Sequence, residues 1–128
     1  MLRRILGGVI FTLAIAIAVV PQLTKCLNPG MVCNYTAKAE LALALPVLIE
    51  GMVLLAGVRG PHVGLALAGA GTGISVILVA YVIIGVCAPQ MMPMECYLLM
   101  KPLLLITGLA LVITNIILLG VGLRLSKA

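Results

Sequence analysis

Tryptophan is absent from this 128-residue chain, phenylalanine and histidine each occur once, and only 9% of the residues are charged. Each shortage excludes something. A soluble domain carries about a quarter of its residues as Asp, Glu, Lys or Arg. A chain that is 64% hydrophobic and 9% charged cannot clothe a water-facing surface, which places it in the membrane class. Without tryptophan the interfacial aromatic belt is thin: Tyr35 and Tyr97 lie in or near polar loops and Tyr81 lies in an apolar run. The lone His62 stands far from every cysteine, so no histidine-bearing metal site is spelled out beside them. The net charge of +5 comes without a basic face interleaved with aromatics. The basic residues sit at the ends of apolar runs, which fits membrane anchoring and excludes nucleic acid as a partner.

What is there is apolar length. A spanning helix needs about 20 mostly apolar residues. Four stretches meet this: roughly Ile5–Val20, Ala39–Val58, Val63–Val86 and Pro102–Leu123. The expected fold is therefore a single all-α integral membrane domain, a four-helix bundle covering residues 1–128. Arg59-Gly60-Pro61-His62 separates the middle pair as a tight turn. Arg3, Arg4, Arg59, Arg124 and Lys127 fall on one side of this arrangement, and Lys25, Lys38 and Lys101 on the other. The excess predicts a multi-pass plasma-membrane protein with both termini and the tight turn in the cytoplasm. Arg3-Arg4, the following apolar run and Ala16-Ile17-Ala18 also fit a cleaved signal peptide.

The two remaining separators resemble each other. Cys26-Leu-Asn-Pro-Gly-Met31-Val-Cys33 is followed by Lys38, and Cys87-Ala-Pro-Gln-Met-Met-Pro-Met94-Glu-Cys96 by Lys101. Both have the form Cys…Met-x-Cys-x4-Lys with proline between the cysteines. The pattern reads as two parallel helix–loop–helix repeats, arising by duplication or by convergence. It argues for keeping the first span, which then has a counterpart in the third. Charge bias puts both loops outside, where disulfides persist. Local pairing, Cys26–Cys33 and Cys87–Cys96, is the scheme the repeat favours, and cross-loop pairing is the alternative. External cysteine pairs also admit thiol–disulfide exchange with a quinone, although no Cys-x-x-Cys is present. Met31 and Met94 beside the cysteines admit a soft metal such as Cu(I).

Polar residues within the spans are few. Glu50 is placed near the middle of the second, where an acid costs about 3 kcal/mol on insertion scales. It is expected to face the bundle or a partner, with Thr114 and Asn115 of the fourth span, Thr72 and Ser75 of the third and Thr12 of the first as candidate neighbours. Pro46 and Gly51 flank it and can kink or loosen the helix. Glu40 is expected in the first turn of that span, with Thr36 as N-cap, and Pro102 at the start of the fourth. Gly69-x-x-x-Gly73 is a small-residue spacing that lets helices approach closely, inside the bundle or toward another protein. The glycine run is no phosphate loop, because no Lys-Ser/Thr follows it.

The stretch Met31-Val-Cys33-Asn34-Tyr35-Thr36-Ala37-Lys38-Ala39-Glu40, preceded by Cys26, resembles a family of small bacterial four-span proteins known as domain of unknown function 4418. That family's pattern runs approximately Met-x-Cys-His-x-Thr-x-x-Ala-Glu, and Asn34 stands here where the histidine is expected. The resemblance implies four spans and an accessory role beside ABC-type permeases; it brings no catalytic activity. The expected function is a non-enzymatic accessory or interaction subunit without a cofactor. Its surroundings would be the lipid bilayer and a membrane protein partner or further copies of itself. Membrane thiol redox chemistry and copper binding stand as the alternatives.

Overall fold

The computed structural model describes residues 1–24, 30, 32–57, 60, 62–84 and 95–127. The side chains of Cys33, Glu95, Cys96 and Tyr97 fall outside this description. The described residues form helices α1 (Leu2–Thr24), α2 (Val32–Leu55), α3 (His62–Leu78) and α4 (Glu95–Lys127). α3 runs on into a π-helical turn at Val79–Ile83. The fold is all-α, with no strand among the described residues.

Among the described residues, three helical stretches are long and apolar enough to cross a membrane: Leu2–Thr24, His62–Ile83 and Leu98–Lys127. At 1.5 Å per residue the first is about 35 Å long, against a hydrocarbon core of about 30 Å. α2 has the length, at 24 residues, but carries Lys38, Glu40 and Glu50. It is nonetheless built into the same bundle, packed chiefly on α1 and also on α3. α3 packs chiefly on α4, and α4 closes the ring on α1. The molecule is thus two antiparallel hairpins, α1–α2 and α3–α4, side by side.

Several element boundaries differ from those read in the sequence. α2 begins at Val32 rather than Ala39, because Lys38 and Glu40 are helical residues rather than a polar edge. α4 begins at Glu95, so Pro102 lies inside it rather than at its start. α2 stops at Leu55 because Gly57 takes a φ of 70°, the left-handed conformation that ends helices. The Gly57 N–H donates to the Leu54 carbonyl at 3.2 Å. At this end of the bundle the Arg3 guanidinium meets His62 Nδ1 at 3.4 Å. His62 is half-buried there.

The core follows helical spacing. α1 buries Ile10, Ala14, Ile17 and Pro21. α4 buries Met100, Leu104, Gly108, Leu111, Asn115 and Leu118 at intervals of three and four residues. Other isoleucine, leucine and valine side chains, among them Ile5, Leu45, Val82, Ile106 and Ile113, are exposed on the outer surface. Between helices in lipid the hydrophobic drive is weak, so close packing carries the association. Glycines provide it at three crossings. A Cβ at Gly7 would fall 2.8 Å from Leu54 Cβ and one at Gly51 2.9 Å from the Phe11 backbone nitrogen, which joins α1 to α2. Gly73 and Gly108 face each other across α3 and α4, each within 3.2 Å of the other's carbonyl oxygen on the same measure.

These contacts make an asymmetric prediction. Gly51→Ala forces backbone atoms of α1 apart and should destabilise the bundle by about 1–3 kcal/mol. Gly71→Ala meets nothing within 4 Å and should be neutral or mildly stabilising. Unfolding of the detergent-solubilised protein in increasing SDS separates the two.

Candidate functional site

Two buried acids on α2 organise the polar interior. Consecutive residues on a helix point about 100° apart, so Gly51 can admit α1 while Glu50 turns toward α3 and α4. Glu50 is 3% exposed. A Cβ placed on Gly69 would collide with Glu50 Oε2 and lie 2.6 Å from both Asn115 Nδ2 and Asn115 Oδ1. One residue from each of α2, α3 and α4 thus converges on a single point, and the absent glycine side chain is the room they share. Asn115 is fully buried; its Nδ2 donates to the Leu111 carbonyl at 3.0 Å. Thr114 beside it donates to the Ala110 carbonyl at 2.7 Å. Glu50 Oε1 and Asn115 Oδ1 have no hydrogen-bond partner among the described residues.

Gly69 and Gly73 are both buried and both turn inward, Gly69 to this cluster and Gly73 to α4. Glu50 lies five residues before the end of α2, about 7–8 Å along the axis, rather than near the middle of its span. The polar layer therefore sits toward the Arg3–His62 end of the bundle.

Glu40 occupies a second position, ten residues or about 15 Å back along α2. It is fully buried, and neither carboxylate oxygen has a hydrogen-bond partner among the described residues. It is not in a first turn, since α2 starts eight residues earlier. Thr36 is correspondingly inside the helix, with its hydroxyl donating to the Val32 carbonyl at 3.3 Å rather than capping. Thr36 and Glu40 stand four residues apart and share a helix face. Gln22 of α1 reaches the same part of α2, its Nε2 donating to the Ala37 carbonyl at 3.2 Å.

Reading the sequence missed Gln22 and the burial of Glu40. The signal was the Thr-x-x-Ala-Glu pattern itself, which marks one helix face once the helix is extended back to Val32. The matched lysines also differ in use. Lys38 sits over the Tyr35 ring at 5.9 Å, within one helix. Lys101 sits over Tyr81 of the π-helical turn at 4.8 Å, across two.

Cys26, Cys87, Met31 and Met94 lie outside the described residues, as do the side chains of Cys33 and Cys96. Among the described residues no cluster of three or more His, Cys, Asp or Glu side chains is poised for a metal. What the arrangement provides is buried oxygen: two carboxyls and one amide inside an apolar bundle.

An all-helical bundle of this apolarity, with Glu40 and Glu50 turned inward, defines an integral membrane protein. The chain belongs to the family described as Domain of unknown function (DUF4418), whose model matches residues 3–121. No curated protein and no solved structure matches it.

An unpartnered buried polar group costs about 1–3 kcal/mol. Glu40→Leu, of similar volume, should therefore stabilise the solubilised protein by an amount in that range. A loss of stability in the same SDS titration would mean that Glu40 is a structural partner instead.

Proposed function

We propose that the protein is a non-enzymatic accessory subunit that docks on a larger membrane protein through the outward face of α3. The observation that carries this reading is a second row of small residues. Gly69 and Gly73 are occupied by internal packing, yet Gly64, Ala68 and Gly71 are exposed on the other side of α3, with half-buried Ser75 continuing the line. Their spacing of four, three and four residues keeps them on one helical stripe. Leu67, Ile74 and Leu78 flank the stripe and are exposed as well. Lipid does not require small side chains, whereas a neighbouring helix uses them to approach closely. The hydroxyls on this face are turned back into their own helix: Thr72 donates to the Ala68 carbonyl at 2.8 Å and Ser75 to the Gly71 carbonyl at 2.9 Å. The face offered is therefore apolar and shallow, suited to a transmembrane helix rather than to a polar ligand. We take an ABC-type permease as the class of partner, as the resemblance of the Met31–Glu40 stretch implies.

In this reading both termini lie in the cytoplasm and both cysteine loops lie outside, held by structural disulfides. Four spans with so little polar lining do not make a stand-alone channel or transporter.

Affinity isolation after mild solubilisation should recover a membrane partner from the native host. Gly71→Leu should reduce that recovery at least about tenfold, the effect of roughly 1.4 kcal/mol at the interface. The equally exposed Val82→Leu should not. Recovery of the protein alone, or equal recovery with both variants, overturns the docking face. Orientation is tested separately: in intact cells, after reduction, a membrane-impermeant maleimide should label the loop cysteines. Labelling only after lysis would place those loops inside.

A further inference from the structure

The Arg3–His62 end of the bundle carries charge that neither the polar layer nor the docking stripe uses. Arg3 and Arg4 stand in the first turn of α1, His62 opens α3, and Arg124 and Lys127 lie in the last turn of α4. Three distances tie this end together. The Arg3 guanidinium lies 3.4 Å from His62 Nδ1. A Cβ built on Gly122 would fall 3.7 Å from His62 Cβ, so α4 passes His62 two residues before Arg124. A Cβ built on Gly57 would fall 3.8 Å from a guanidinium nitrogen of Arg4. Both hairpins thus bring basic groups to one place, and Arg3 and His62 join them.

The chain brings no acidic side chain to this end to balance those charges. Its three acids are Glu40, Glu50 and Glu95. Glu95 opens α4 at the opposite end, and Glu40 lies farther along α2. Glu50 turns toward Gly69, seven residues or about 10 Å along α3 from His62. Arg3 is half-buried and keeps its charge at any ordinary pH. A guanidinium partly withdrawn from water favours an anion beside it. Its planar fork of N–H donors matches two oxygens of one phosphate. The depth fits as well: α1 is about 35 Å long against about 30 Å of hydrocarbon, so its first turn lies among headgroups.

We propose that Arg3, Arg4 and His62, with Arg124 beside them, bind the phosphate of an anionic phospholipid at the seam between the two hairpins. A lipid is favoured over a free phosphate because Leu2, Ile5 and Val63, all exposed, stand next to the basic residues. Acyl chains can cover such side chains, and a free phosphate makes no use of them. A headgroup held by Arg3 of α1 and His62 of α3 touches both hairpins at once and adds to the weaker contacts between them. The site does not rest on docking by α3, nor on which leaflet this end faces.

Native mass spectrometry of the full chain, released from detergent holding equal amounts of phosphatidylglycerol and phosphatidylcholine, tests the site. Phosphatidylglycerol should be retained in preference by about tenfold, the effect of one charge-assisted contact. Arg3→Gln should bring the two lipids close to parity. Arg4→Gln, at an exposed position that folding does not need, should lower the preference as well. Lys38→Gln removes the same charge from an exposed residue outside the site and should leave the preference intact. In SDS unfolding, phosphatidylglycerol should protect the wild-type chain, and inorganic phosphate at the same concentration should not. Equal retention of the two lipids by the wild type, an equal loss in Lys38→Gln and Arg4→Gln, or protection by inorganic phosphate as strong as that by the lipid overturns the proposal.

Discussion

Close approach of helix backbones at glycine is the constraint on which the rest of this protein depends. In lipid the space outside the bundle is as apolar as the space within it, so hydrophobic burial does little to choose one arrangement over another. What distinguishes this arrangement is that Gly7 and Gly51 let α1 lie against α2, and Gly73 with Gly108 lets α3 lie against α4. Each contact ties two neighbours in sequence. The hairpins come first in this logic, and their mutual orientation is left to the weaker α2–α3 and α1–α4 contacts. Gly69 is the exception. It belongs to α3, yet its neighbours are Glu50 of α2 and Asn115 of α4, so it is where the two hairpins meet through polar atoms.

α2 accordingly differs in kind from the other three helices. Among the described side chains, it is the one that carries acids within the bundle. Its polar character is why it falls short of a membrane span judged by composition alone. An acid on an isolated helix would be expensive in hydrocarbon; here α1, α3 and α4 enclose it. The bundle exists in part to make α2 tolerable, and α2 gives the bundle the only carboxyls in its described interior.

How much of this was legible in the sequence depended on what each residue type signals. The apolar runs declared the membrane class, because hydrocarbon thickness sets a minimum length that composition must meet; of the four spans expected, three meet it among the described residues and α2 does not. Glu50 and Asn115 stood out because so few polar residues lie within the spans, but Thr114, Thr72, Ser75 and Thr12 were equally available as neighbours of Glu50. Helix starts were not legible. Lys38 and Glu40 look like the edge of a span, and Pro102 looks like a first helical position, but α2 and α4 both begin about seven residues earlier. The burial of Glu40 followed from that misplaced start: moved from the first turn to the ninth residue, a capping acid becomes an interior one. Gly108 was passed over because its partner, Gly73, is distant in sequence and its own surroundings are ordinary. Small-residue spacing reveals that a close contact exists, and tertiary structure alone reveals with what.

The two-hairpin arrangement also bears on the repeat. Leu103 stands as far beyond Cys96 as Glu40 stands beyond Cys33, and Ile113 as far as Glu50. Both acids thus have aliphatic counterparts in the second hairpin, and Ile113 faces outward. Conversely, the second hairpin supplies Gly69 and Asn115, the room and the amide. If the hairpins share an origin, they have divided the work, one bringing the acid and the other its setting. A symmetric pair, with an acid from each hairpin at the same level, would place two carboxyls in one apolar layer, where like charges raise the cost of ionisation further. Pairing a single acid with a neutral amide avoids that.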